Sequence, residues 1–265
     1  MKLGLGCEVV KIVFFDIDGT LLDHDKKLPS STKKAIEQLQ NNGIYVAIST
    51  GRAPFMFTEL RKELGIETFV SFNGQYVVFE NEVIYKHPLA LDEVRALHKA
   101  ANENESTPLI FLNEKTMKSS VKHSERIVEA MGSLKFTHPE QDEHFYEDHQ
   151  IYQALLFTTG EEQKWYENKY DSFRFIRWHK YSVDVLPKGG SKAGGIKTLM
   201  EKVGFKLEDV YAFGDGLNDI EMLETVGHGI AMGNALDEVK GFADYVTTGV
   251  DQDGIYNGLR YYKLI

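Results

Sequence analysis

The stretch IVFFDIDGTLLD, Ile12–Asp23, decides the fold. Its opening run is apolar and β-prone without alternation, the mark of a strand covered on both faces. That run leads straight into Asp16 and Asp18, with Asp23 close behind. Residues i and i+2 of an extended chain share a face, so both carboxylates project together if the chain stays extended for two more residues. Like charges about 4 Å apart repel by roughly 4 kcal/mol at an effective dielectric near 20, so a cation or a proton must be held there. Gly19 then permits a turn that extended backbone could not make. Ligands of open α/β sheets bind beyond the carboxyl ends of strands, where this pair falls. Alone, a DxDG also fits a surface turn. An EF-hand loop is excluded, because the glycine comes too early and no glutamate closes the loop.

Outward from this strand, short apolar runs alternate with amphipathic stretches, the pattern of a parallel sheet. STKKAIEQLQNNG predicts a helix capped by Ser30 or Ser31 and stopped at Gly43. IYVAIST reads as a strand, APFMFTELRKELG as a helix and ETFVSFNG as a strand, and YVVFENEVIYKH as a hairpin turning at Glu80-Asn81. Between about Tyr85 and Val185 helical stretches separate TPLIFLN, IYQALLFTT and FRFIRWHKYSVDV, whose polar and apolar mixing suits a sheet with one wetter face. After Pro187 the parallel pattern resumes through SKAGGIKTLMEKVG, DVYAFGD, LNDIEMLETVG, HGIAM and ADYVTT. The expected fold class is α/β: a Rossmann-like parallel-sheet domain (1–84 and 186–265) interrupted by an inserted α/β domain (85–185).

Composition narrows the function. With 42% hydrophobic and 26% charged residues among 265, the chain has an ordinary globular profile. A formal charge of −10 argues against nucleic acid or an anionic membrane as the main partner. The single cysteine, Cys7, cannot form an internal disulfide, and a reducing cytoplasm is the expected location. No apolar run approaches the ~20 residues of a membrane span. MKLGLGCEVV has too short an apolar core for a signal peptide, despite its Leu-Gly-Cys, and reads as an extension before the first strand.

Other strand ends carry matching chemistry. VAIST ends in Thr50, followed by Gly51-Arg52, offering a hydroxyl and backbone N–H donors suited to a phosphate oxygen; Thr50 fits an N-cap equally well. Lys192 follows a Gly-Gly-Ser loop in the first turn of a helix, where a cation opposes the helix dipole and can serve an anion. Asp215 follows the strand VYAFGD, and Asp219 stands one helical turn beyond it. Two acidic strand ends converging across the sheet predict a cluster of four carboxylates. A divalent cation and Lys192 neutralise most of that charge, and a protonated aspartate would remove the rest, as a general acid requires.

DIDGTLL, STGR, Lys192 after its glycine loop and GDGLNDIEML resemble, in order and spacing, the four motifs of the haloacid dehalogenase-like (HAD) phosphatases. The hairpin, SFNG and the long insertion resemble the Cof-type branch, whose α/β cap lies there. The resemblance implies a Mg²⁺-dependent phosphatase of small phosphorylated metabolites, with sugar phosphates foremost. It implies Asp16 as the nucleophile that becomes aspartyl-phosphate and Asp18 as the acid and base. It also implies Thr50, Gly51, Lys192 and Asn218 at the phosphate. Asp16, the Asp18 carbonyl and Asp215 would hold the metal, with Asp219 and Asn73 in support. A monomer or weak dimer is expected. A phosphomutase remains open, as does a binding protein that responds to Mg²⁺ and phosphate without turnover, although the latter needs no acid at Asp18.

The remaining signals are weaker. GHGIAMG and GLGCEV miss the dinucleotide spacing, and KGGSKAGG lacks a P-loop ending. His123, His138, His144, His149 and His179 have no metal-ligand spacing and read as surface. Trp165 and Trp178 read as core of the inserted domain. The basic run Arg177–Lys180 reads as a solvated strand edge.

Overall fold

The computed structural model describes residues 10–104 and 107–265. Cys7 and the extension through Val9 lie outside the described residues. Strand β1 (Ile12–Phe15) is wholly buried, and α1 (Ser30–Asn41), β2 (Tyr45–Ser49), α2 (Thr58–Leu64) and β3 (Thr68–Ser71) follow. The hairpin β4 (Tyr76–Phe79) and β5 (Glu82–Lys86) turns at Glu80 and Asn81, both at positive φ as a two-residue hairpin loop requires. Neither Ser30 nor Ser31 caps α1: the cap position is Pro29, whose ring fixes an extended φ, and both serines stand in the first turn.

The chain then builds α3 (Leu91–Glu103), β6 (Leu109–Leu112), β7 (Met117–Ser119), α4 (Glu125–Ser133), α5 (Phe145–Asp148), β8 (Gln153–Leu156), α6 (Gly160–Lys169), β9 (Phe173–His179) and β10 (Ser182–Pro187). FRFIRWHKYSVDV is therefore a hairpin rather than one strand, reversing at Lys180 and Tyr181. The chain returns through α7 (Lys192–Val203), β11 (Val210–Gly214), α8 (Ile220–Thr225), β12 (His228–Ala231), α9 (Asp237–Lys240), β13 (Tyr245–Val246) and α10 (Gly254–Tyr261).

Two sheets result. The larger runs β13-β12-β11-β1-β2-β3-β4-β5, parallel from β13 to β3 and antiparallel at the β4-β5 edge. Its alternating faces are both covered: Phe15 and Phe213 pack with Ile36 of α1 and Leu259 of α10, while Phe14 packs with Ile196 and Leu199 of α7. The chain leaves β1 towards β2 on one side and returns to β11 on the other, so β1 stands at the switch point where such sheets open a crevice. The smaller antiparallel sheet runs β7-β6-β8-β10-β9. Tyr152 joins the two, stacked on Phe72 at 5.5 Å and edge-on to Tyr76 at 5.2 Å between ring centroids.

Trp165 is not core: it is 41% exposed, with Lys169 Nζ 4.5 Å from its ring centre. Trp178 is partly buried and borders the cavity described below. Among the described residues, no helix is long and apolar enough to cross a membrane.

Candidate active site

The β1–β11 ladder continues one residue past β1, because Asp16 N–H donates to Phe213 O at 3.0 Å. This fixes Asp16 at the carboxyl end of the sheet. The chain then turns at Gly19, φ +81°, where a Cβ would collide with the Asp215 carboxylate. Glycine is thus required twice, for backbone angle and for the approach of the second acidic strand end.

Lys192 opens α7 behind Ser191, whose Oγ caps the helix by accepting from Gly194 N–H. Its fully buried ammonium donates to Asp16 Oδ1 at 2.6 Å and to Asp219 Oδ1 at 2.7 Å. The other oxygen of Asp219 accepts from the backbone N–H groups of Asp215 (3.0 Å) and Gly216 (2.9 Å). Asp219 therefore holds Lys192 and shapes the loop that presents Asp215. Asp215 is oriented by Thr20 Oγ1 at 3.1 Å and Asn234 Nδ2 at 3.3 Å, and the same amide donates to Gly19 O at 2.9 Å.

One carboxylate oxygen each from Asp16, Asp215 and Asp219 lie within 4.8 Å of one another. Three carboxylates against one ammonium leave an excess of negative charge and oxygen donors, which suits a hard divalent cation. Asp219 is the most heavily engaged, by Lys192 and two N–H groups, whereas among the described residues Asp16 accepts only from Lys192 and Asp215 only from the neutral Thr20 and Asn234 side chains. Asp16 and Asp215 are therefore the side chains better placed to hold one.

The expected cluster of four closes with three. Asp18 points elsewhere, gripped in a fork by Arg52 Nε (2.8 Å) and Nη2 (2.7 Å) and by Lys26 Nζ (2.5 Å). Thr50 is buried beside this fork, its Oγ1 accepting from Arg52 N–H at 3.1 Å, which leaves the hydroxyl proton to donate. Asn73, at φ +49°, joins three segments. Its backbone N–H donates to Thr50 O, its Oδ1 accepts from Asn218 Nδ2 at 3.0 Å, and its Nδ2 donates to Asp184 Oδ2 at 2.9 Å. Gly51 lies against that amide, where a Cβ would crowd it. Of the nine residues expected at the site, Asp16, Asp18, Thr50, Gly51 and Asn218 border a cavity of about 520 Å³ that the smaller sheet roofs, and hydrogen bonds join Asn73, Lys192, Asp215 and Asp219 to them from behind.

A family model described as haloacid dehalogenase-like hydrolase matches residues 13–259. The chain belongs to this family. It is 52% identical over 245 residues to the putative phosphatase YkrA of Bacillus subtilis, covering 92% of this chain and 95% of that one. It is 30% identical to the B. subtilis 5-amino-6-(5-phospho-D-ribitylamino)uracil phosphatase YcsE, with 96% of each covered. It superposes on the HAD subclass IIB sugar phosphatase BT4131 with a TM-score of 0.86 at 33% identity, covering 97% of this chain and all of that one. The protein is a HAD-like phosphatase.

Charge and burial set the site's protonation. Burial, reinforced by Asp219 and Asp215, raises the Asp16 carboxyl despite Lys192. Burial and Asp219 push Asp215 up to about 6. Burial would lower Lys192, but Asp16 and Asp219 outweigh it and raise it, so the lysine stays charged. Burial would raise Asp18 as well, yet the Arg52 fork and Lys26 win and hold it below the usual carboxylate range. In this HAD-like phosphatase the resting Asp18 is therefore an anion.

Sequence reasoning missed Arg52 as a partner of Asp18, together with Lys26, Asn234, Asp184, Gln153 and Trp178. Arg52 lay inside the quoted STGR, and Asn234 follows the strand HGIA as the other site residues follow theirs. Lys26 carried no signal.

Proposed function

We propose that this phosphatase is a Mg²⁺-dependent phosphomonoesterase of small phosphorylated metabolites, sugar phosphates foremost, working in two steps through phospho-Asp16. The observation that carries the reading is Asp16 itself: buried, clamped by Lys192 and beside Asp215, with Asp18 two residues on across the same cavity. Mg²⁺ held by Asp16, Asp215 and the Asp18 carbonyl would offset charge on the phosphoryl oxygens. Lys192, Thr50, Gly51 N–H and Asn218 would orient those oxygens, while Asp219 and Asn73 fix their positions.

In the first step an Asp16 oxygen bonds to phosphorus as the bond to the leaving oxygen breaks, and Asp18 supplies that oxygen with a proton. In the second, Asp18 takes a proton from water, whose oxygen attacks phosphorus and frees Asp16 and inorganic phosphate. The first step needs a protonated Asp18, whereas Arg52 and Lys26 hold it ionised at rest. An incoming phosphate dianion competes for both cations and loosens that grip.

Residues 85–185 form the cap in this reading, roofing the cavity and excluding water. The likeness to a sugar phosphatase and to a ribityl-phosphate phosphatase supports a polyhydroxylated leaving group. A cytoplasmic monomer or weak dimer completes the proposal. The test is phosphate release from sugar phosphates, nucleotides and phosphorylated cofactors, with and without Mg²⁺, for wild type and Asp16→Asn. Metal-dependent release that the substitution abolishes is expected. An isomerised phosphosugar with no free phosphate would point to a mutase instead.

A further inference from the structure

The smaller sheet presents one face to Asp16. Asp184 of β10 lies opposite Leu155 of β8 and Ile176 of β9, and Leu112 of β6 lies opposite Gln153 of β8. Alternate residues of a strand share a face, so these five and Trp178 point the same way. All six border the cavity that contains Asp16 and Asp18. Four of them are apolar or aromatic. Arg177 borders the cavity too, but its guanidinium is engaged by Gln163 and by the carbonyls of Thr158, Thr159, His179 and Lys180. Among these residues, polar recognition from this sheet falls to Asp184 and Gln153.

Asp184 is 7% exposed and has no cationic partner within ion-pair distance among the described residues. Its Oδ2 accepts from Asn73, and the indole N–H of Trp178 faces it without closing a hydrogen bond. No hydrogen bond reaches Oδ1, which is not sealed from the cavity. When ionised, a carboxylate accepts and cannot donate, so in that form this oxygen repels phosphoryl oxygens and attracts O–H donors. An acceptor placed in a largely apolar wall is worth most when a ligand donor meets it.

We propose that Asp184 is a specificity-determining residue of this phosphatase, its Oδ1 accepting a hydrogen bond from a hydroxyl of the leaving group. Polyol and sugar phosphates are then preferred over phosphomonoesters without hydroxyls. The inference rests on the phosphatase reading above and gives it a residue on the opposite wall.

The experiment measures kcat/KM for sugar and polyol phosphates against p-nitrophenyl phosphate, whose leaving group has no second hydroxyl, in wild type, Asp184→Ala and Asp184→Asn. The readout is the ratio of the best polyol phosphate to p-nitrophenyl phosphate. It is expected to fall by about tenfold or more in Asp184→Ala, as for loss of a hydrogen bond to a charged group. Asp184→Asn keeps the shape and can still accept from Asn73, and a smaller fall in the same direction is expected. A residue acting only through Asn73 would slow both esters together, so an unchanged ratio in both variants overturns the assignment. Wild-type enzyme releasing phosphate from no ester would overturn the phosphatase reading itself, and the assignment with it.

Discussion

The two walls of the cavity are built on opposite plans. The wall at the end of the larger sheet is dense with charge and nearly every polar atom has a partner, as Lys192 and Asp219 illustrate. The wall from the smaller sheet is mostly apolar, with an acceptor left open at Asp184. A saturated cluster resists change because each member leaves another buried group unpaired when removed. A sparse wall can exchange one side chain at small cost. Such a molecule keeps its chemistry and alters its choice of substrate.

The sharpest break of the first wall is Asp16→Asn. Turnover is expected to fall by about a thousandfold or more, as when a nucleophile is removed, measured by phosphate release. Lys192→Met comes next, for it strands two buried carboxylates: a loss of about 3–5 kcal/mol in denaturant unfolding is expected unless both take up protons. On the second wall Arg177→Ala removes the donor that ties the β9-β10 turn to residues 158–163. A loss of about 2 kcal/mol is expected by the same measurement, since partly buried carbonyls lose partners.

Acidity separates the walls more finely. Burial lifts Asp215 to about 6 and Asp184 to about 7, from an ordinary 3.8. Between pH 3.8 and about 7 these two groups therefore bind more protons in the folded protein than in the unfolded chain, and their contribution to metal-free stability declines as pH rises through that window. If Asp16 and Asp215 hold Mg²⁺ as proposed, the metal favours their ionised forms, and the gain in melting temperature on adding it is expected to grow over the same window. Melting curves at several pH values, with and without Mg²⁺, test this. A gain that shrinks as pH rises would count against those ligands. Asp184→Asn should flatten part of the metal-free slope and leave the response to Mg²⁺ in place. The smallest effect is expected from Lys180→Ala, whose partner Glu129 is also well exposed, and no resolvable shift in melting is expected.

The first wall was legible because its residues follow buried apolar runs. Asp16, Thr50 and Asp215 each stand just beyond a strand of the larger sheet, and the parallel topology gathers those ends. The second wall was not. Asp184 is a lone acid in an apolar strand, and its orientation acquires meaning only when that strand meets Asn73, 111 positions away in sequence. The β9-β10 reversal was hidden for a local reason: Lys180-Tyr181 contains neither glycine nor proline to mark it. The Asp18 fork was hidden by charge, since a sequence shows that Arg52 is near a strand end but not which carboxylate it will take.

The contact between Lys192 and Asp16 spans 176 positions, and Asp219 lies farther along still. A ribosome must therefore deliver most of the chain before Asp16 meets its cation. Until then Asp16 belongs to an unfinished strand, and its carboxylate stays in water because burying it alone is too costly. On the proposed mechanism, catalytic competence is consequently among the last properties a growing chain acquires, and a product truncated before residue 192 would carry the DIDGT signature without the charge pair that arms it.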